Sequence, residues 1–168
     1  MGPLSGAAAS YGNGMSQMMQ KLVDDTNAAG GLKIGDTIYT IDLVLADDKY
    51  TGPGAIEAAN KLIFQDKVKF VVGPISASTI EPSMPIFDQN KVLVLYGGAG
   101  QLNPKWTLGF KMVQPVEVTW PILYTELAKK FPNAKRVAVI STDTEAGKLT
   151  LDSALKELPK LGFTIATS

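Results

Sequence analysis

The residues of this chain best suited to chemistry sit in three stretches of small side chains: GPLSGAAASYG at 2–12, GPISAST at 73–79 and YGGAGQLNP at 96–104. Small side chains let a ligand approach backbone N–H groups. A hydroxyl at the start of a helix can donate to that ligand or cap the helix. The amino end of a helix also carries partial positive charge, which suits a carboxylate or another anion. The same residue types serve as N-caps and as turn punctuation, so each stretch alone is open to both readings. The adjacent carboxylates Asp47 and Asp48 invite a metal or acid–base role. Consecutive side chains diverge, however, and turn formation with helix-start capping is the better reading of such a pair.

Missing residue types narrow the chemistry further. The chain contains no His and no Cys, which removes imidazole general bases, thiol nucleophiles, disulfides and the common zinc and copper ligand sets. Catalysis would have to rest on Asp, Glu, Lys, Ser or Tyr, and no pair of these stands at a suggestive spacing. The expectation is a non-enzyme with no cofactor and no metal. Sixteen basic and sixteen acidic side chains cancel, and no Lys/Arg run tracks a phosphate backbone, so nucleic acid is not an expected partner. The apolar runs are far shorter than a membrane-spanning helix requires. Residues 1–4 show neither the basic end nor the apolar stretch of a signal peptide.

Strands and helices must hold these loops in place. Residues 37–45, TIYTIDLVL, are β-branched or aromatic and bounded by turn residues, which predicts a strand. Ala55, Ile56, Ala59, Leu62 and Ile63 then recur at helical spacing behind a start signal at 51–54. Further strands are expected at 68–72, 92–96, 110–113 and 136–140, with one beginning at 163. Helices are expected over 11–27, 78–89, 116–131 and 145–161. Met15, Met18, Met19, Leu22 and Val23 form the expected apolar side of the first helix. Pro82 and Pro85 should confine or kink the helix that contains them. In the helix over 116–131, Trp120, Leu123, Tyr124, Leu127 and Phe131 are the expected buried residues. Strand–helix alternation with nearly continuous apolar strands predicts an α/β fold with mostly parallel sheets. In such sheets, ligands bind beyond the carboxyl ends of the strands, where all three small-residue loops fall. Residues 2–6 look like the loop after a strand that is not there, and the last strand is cut as it begins. Both ends of the chain therefore read as clipped.

Taken in order, these loops and their flanks resemble the type I periplasmic solute-binding proteins, in the branch typified by the leucine/isoleucine/valine-binding protein of ABC transporters. The stretches that carry the resemblance are GPLSGAAASYG, DDTNAAGGLKIGD at 24–36 and LADDKYTGPGAIEAANKLIFQDKVKFVVGP at 45–74. PIFDQNKVLVLYGGAG at 85–100 and RVAVISTDTEAGK at 136–148 continue it. The resemblance implies doubly wound α/β lobes joined by hinge crossings, with the ligand closed between them. Residues 1–113 would be the first lobe, lacking its first strand, and 114–168 the opening part of the second.

The resemblance also implies a site. Tyr11 stands where an aromatic packs on the ligand. Ser76, Ala77 and Ser78 stand where backbone N–H groups and a hydroxyl hold the ligand carboxylate. Gly98 and Gly100 belong to the next loop, and Thr142 and Glu145 face them from the second lobe. Ala77 replaces the key hydroxyl, Gly100 a threonine that helps hold the ammonium, and Ala146 a second-lobe tyrosine. These smaller residues leave room for a bulkier ligand, such as an aromatic or other organic acid. The implied protein works in the periplasm or outside the cell. It binds a small carboxylated molecule and delivers it to the membrane permease of an ABC transporter. The alternative is a sensory ligand-binding module of the same fold feeding a regulator or receptor. Unsealed strand edges in the first lobe predict self-association of the isolated chain.

Overall fold

The computed structural model describes residues 1–98 and 103–167. After a 3-10 turn over Gly6–Ala8, helix α1 spans Ala9–Ala28. Met15, Met19 and Val23, four residues apart, turn inward, and Val23 is buried. Met18 and Leu22 lie on the other side and are exposed, against expectation. The expected apolar side is thus two adjacent rows, of which the fold uses one.

Strands β1 (Leu32–Ile34) and β2 (Thr37–Tyr39) form an antiparallel hairpin with Lys33 opposite Ile38. The sequence pattern predicts one strand over 37–45. The difference arises at Gly35, whose φ of 59° lets a two-residue turn fold β2 back onto β1. Beyond Tyr39 the chain continues without a ladder to Asp47, which makes a single parallel bridge to Gly2. The carboxamide of Asn27 grips this stretch at Ile41, accepting its N–H and donating to its carbonyl, both at 2.9 Å.

Helix α2 (Gly52–Asn60) starts where the sequence places it. Thr51 is its N-cap and accepts the Gly54 N–H at 3.1 Å, and a π turn over Lys61–Gln65 continues it. Ala55, Ala59 and Leu62 are buried as expected, whereas Ile56 is exposed. Strands β3 (Phe70–Val72), β4 (Leu93–Tyr96) and β5 (Gly109–Lys111) then build a parallel sheet in that order. Helix α3 (Ala77–Gln89) connects β3 to β4 and runs continuously through Pro82 and Pro85. Ile80, Met84 and Phe87 from α3 meet Val71, Val94 and Leu62 in the first core. Phe87 is fully buried, a placement that contributes about 2–3 kcal/mol. Tyr96 and Trp106 close this core edge to face, with ring centroids 6.0 Å apart.

A second core forms between α4 (Val116–Lys130), β6 (Arg136–Ala138), α5 (Glu145–Glu157) and β7 (Thr164–Thr167), with β6 and β7 parallel. Tyr124, Ala154, Leu158 and Phe163 are its buried members, and Trp120 stacks on Tyr124. Leu123, Leu127 and Phe131 are exposed rather than buried. Helix α4 packs against α5 and the turn at 159–161, and these three residues lie outside that contact. Helices α3 and α5 touch, while the two cores have no residue in common among those described.

Candidate functional site

Because β3 and β4 run parallel, the loops that follow them open at the same end of the sheet. The loop at 73–76 leaves β3, and Gly97-Gly98 leaves β4. The Gly97 N–H donates to the Pro74 carbonyl at 3.0 Å. Gly98 has φ +78°, and a Cβ there would fall inside the Ile75 carbonyl, so no other residue fits without displacing one of the loops. Ile75 and Gly98 are thus brought into direct contact.

The loop at 2–6 joins the same end through Asp47. One Asp47 carboxylate oxygen, Oδ1, accepts the N–H groups of Leu4 at 2.8 Å, Ser5 at 3.3 Å and Lys49 at 2.8 Å. The other, Oδ2, accepts the Ser5 hydroxyl at 2.6 Å. Desolvation pushes the Asp47 pKa up, but these hydrogen bonds outweigh it and hold the carboxyl below its ordinary value. Asp48 behaves oppositely. Its side chain is fully buried, Oδ1 accepts the Tyr50 N–H at 2.9 Å, and Oδ2 has no partner among the described residues. Desolvation therefore raises its pKa. Sequence reasoning placed both residues in turns and helix starts. It missed Asp47 as the clamp between two loops, which only the tertiary approach of residues 4–5 reveals.

The start of α3, like those of α1 and α4, carries no side-chain cap, unlike those of α2 and α5. Thr51 and Thr144 cap α2 and α5 by accepting the N–H groups of Gly54 and Gly147. Ser76 occupies the same N-cap position on α3 but makes no side-chain cap. Its hydroxyl instead meets the Ser78 hydroxyl at 2.9 Å, and its carbonyl accepts from Thr79 and Ile80. Among the described residues, no acceptor is recorded for the N–H groups of Ala77 and Ser78. Ser76 and Ala77 are buried and Ser78 half-buried, so the two hydroxyls and two free N–H groups cluster at a partly screened, electropositive helix end. Such an arrangement is chemically suited to an anion, carboxylate included.

Of the other expected site residues, Tyr11 lies in the first turn of α1 with 71% of its surface exposed. Among the described residues, no hydrogen bond or ring contact joins it to 76–78. Thr142 is exposed and its hydroxyl meets that of Thr144 at 2.9 Å, next to the start of α5. Gly100 and the Glu145 side chain lie outside the described residues. Among the described residues no helix is long and apolar enough to cross a membrane, and no three metal-ligating side chains cluster.

Parallel α/β layers with a polar cradle at the carboxyl ends of the strands define the class of an α/β ligand-binding protein. The family profile described as periplasmic binding protein matches residues 1–168, and the chain belongs to that family. A Leu/Ile/Val-binding protein of Rhizobium johnstonii is 34% identical over 170 residues, covering 96% of this chain and 43% of the relative. An amino acid binding protein of Pseudomonas aeruginosa is 29% identical, covering 96% and 42%. The chain thus spans less than half the length of the curated relatives it matches. Among solved structures, the branched-chain amino acid transporter substrate binding protein LivJ of Streptococcus pneumoniae, in complex with isoleucine, superposes with a TM-score of 0.84. Its identity is 23%, with 99% of this chain and 46% of that one covered. A solute binding protein of an ABC transporter from Rhodopseudomonas palustris, in complex with 3,4-dihydroxy benzoic acid, gives 0.79 at 21% identity and covers 99% and 44%. These structural likenesses establish the type I periplasmic binding fold.

Proposed function

We propose that this chain is the opening part of an extracytoplasmic solute-binding protein that holds a small carboxylated molecule between two lobes and presents it to an ABC-transporter permease. Residues 1–113 form the first lobe and 114–168 the beginning of the second. The observation that carries this reading is the uncapped start of α3. A helix end that leaves its first N–H groups without a cap and holds two hydroxyls beside them is suited to holding the capping group of a ligand. The relatives are named for amino acids, and the two solved complexes hold isoleucine and 3,4-dihydroxy benzoic acid. All of these ligands carry a carboxylate. Ala77 and Ser78 N–H groups with the Ser76 and Ser78 hydroxyls hold that group. Gly98 keeps the neighbouring loop close, Tyr11 belongs to the first-lobe side, and Thr142 to the second. The small side chains at 77, 100 and 146 favour an aromatic or other bulky acid over a short aliphatic amino acid. Closure follows from a ligand that touches both lobes only when they are together.

Amide NMR of the chain tests the cradle directly. Titration with 3,4-dihydroxybenzoate, benzoate and leucine should move the Ala77 and Ser78 N–H resonances progressively, the aromatic acids more strongly. The Gly54 and Gly147 resonances, already engaged by threonine, should stay in place. Equal movement at all three helix starts, or none at Ala77 and Ser78, would remove the basis of the proposal.

A further inference from the structure

Asp47 and Asp48 lie outside the cradle, yet their carboxylates shape the segment that reaches it. Asp47 Oδ1 accepts the Lys49 N–H at 2.8 Å, and Asp48 Oδ1 accepts the Tyr50 N–H at 2.9 Å. The Thr51 N–H donates to the Asp48 carbonyl at 3.0 Å. Every N–H from Lys49 to Thr51 is therefore engaged within the segment. These bonds hold Lys49 at φ 53° and Tyr50 at φ 58°, two consecutive left-handed residues that are not glycine. Side-chain-bearing residues persist there only where their surroundings impose the conformation.

Each end of the segment touches one half of the candidate site. At its beginning, the Asp47 carboxylate holds Leu4 and Ser5, and a Cβ placed on Gly6 would stand 3.6 Å from the Lys49 carbonyl oxygen. The loop passes this placement on to α1, because Gly12 lies directly against the Pro3 carbonyl and leaves no space for a side chain. Tyr11 is the residue before that contact. At the far end, a Cβ on Gly52 would stand 3.5 Å from the Ser78 carbonyl oxygen and 3.7 Å from the Pro82 ring. Helix α2, which Gly52 opens, packs along α3. Residues 47–52 thus run from the start of α1 to the start of α3.

We propose that residues 47–52 are a rigid spacer that sets the distance between Tyr11 and the anion cradle, with Asp47 and Asp48 as its positioning residues, and that this distance selects carboxylates with a ring-sized body. It rests on the reading of the α3 start as a carboxylate cradle. Neither aspartate touches the ligand. A carboxylate seated on the Ala77 and Ser78 N–H groups projects its body away from the helix, and Tyr11 meets that body only while α1 is held at a fixed span. A spacer free to stretch would let Tyr11 drift and leave the cradle intact. Locking Lys49 and Tyr50 in one conformation removes the ordering cost that each binding event would otherwise carry. Selection therefore falls on the size of the acid, and the cradle supplies the charge recognition.

The experiment uses the chain as it stands and amide NMR titration with 3,4-dihydroxybenzoate, which carries a ring, and acetate, which fills the cradle alone. Asp47→Ala should weaken 3,4-dihydroxybenzoate about tenfold and leave acetate unchanged. Tyr11→Ala should do the same, and the double variant should weaken it no further, because both remove one contact. Asp47→Asn keeps an oxygen for the N–H groups of Leu4, Ser5 and Lys49 and should retain most of the affinity. Lys49→Gly relaxes the left-handed backbone and should weaken the aromatic acid about threefold without lowering the urea midpoint. Glu57→Gln removes only the exposed ion pair with Lys49 and should leave binding unchanged. Equal weakening of both acids by Asp47→Ala overturns the proposal, because the cradle itself would then have moved. Unchanged binding in Asp47→Ala, or losses that add with those of Tyr11→Ala, overturns it as well. If neither acid moves the Ala77 and Ser78 resonances of the unsubstituted chain, the cradle reading fails and takes the spacer with it.

Discussion

Replacing Ser76 and Thr51 by alanine, each alone, measures whether the start of α3 is built for structure or left open for a ligand. Both residues are N-caps of helices that pack in the first core, so their substitutions report on the same unfolding unit. Thr51→Ala removes an oxygen that accepts the Gly54 N–H, and loss of such a cap costs about 1 kcal/mol. Ser76→Ala removes no cap. It breaks one hydroxyl–hydroxyl bond, worth about 1 kcal/mol when both groups are buried. Ser78 is half-buried and regains water, which brings the expected cost to about 0.5 kcal/mol or less. With a urea dependence of about 2 kcal/mol per molar, the midpoint should fall by roughly 0.5 M for Thr51→Ala and 0.25 M or less for Ser76→Ala. Urea titrations followed by tryptophan fluorescence in a Trp120→Phe background, which leaves Trp106 at the edge of that core as the reporter, resolve the two. A loss of about 1 kcal/mol or more for Ser76→Ala would refute the reasoning, because Ser76 would then support α3 as Thr51 supports α2.

Two further outcomes follow from the loops around the cradle. Asp47 and Asp48 should give stability opposite slopes with pH. The depressed folded pKa of Asp47 adds stability above the unfolded value near 3.8, and this is lost as pH falls through the folded pKa. The raised pKa of Asp48 imposes a penalty that grows as pH rises from 3.8 through its folded value. In urea midpoints between pH 3 and 7, Asp47→Asn should therefore flatten the acid-side decline and Asp48→Asn should steepen it. A shared direction would contradict the hydrogen-bond account. Gly98→Ala should cost about 1–3 kcal/mol, since the new Cβ meets the Ile75 carbonyl and the backbone φ is positive. It should also shift the Ile75 and Ser76 amide resonances while leaving β6 and β7 unchanged.

Much of this architecture was legible in the chain itself, and the exceptions share a cause. Thr51 with Pro53 announces α2 because capping and a fixed proline φ act within a few residues. The apolar runs at 68–72 and 92–96 become β3 and β4 for an equally local reason, since buried parallel strands need continuous β-branched residues. The hairpin at Gly35 escaped because a strand-like run says nothing about where it folds back. Leu123, Leu127 and Phe131 look buried in a helical projection. How much of α4 is covered, however, depends on how α5 and the turn at 159–161, built from residues well after it, pack against it. The same holds at the cradle. Hydroxyls at 76 and 78 are visible in the sequence, but whether Ser76 caps its helix depends on rotamer and on the neighbouring loop. Asp47 reads as a turn residue until residues 4 and 5 are seen to arrive against it.

The separation in sequence of the two cores, which share no residue among those described, has a consequence in time. Among the described residues, every buried member of the first lies between Ala46 and Trp106, and every buried member of the second between Tyr124 and Phe163. At a synthesis rate of about 5–20 residues per second, the ribosome needs roughly 3–11 s to travel from Trp106 to Phe163. A core of this size closes in far less. The first of these clusters can therefore condense before the apolar residues of the second have been synthesised.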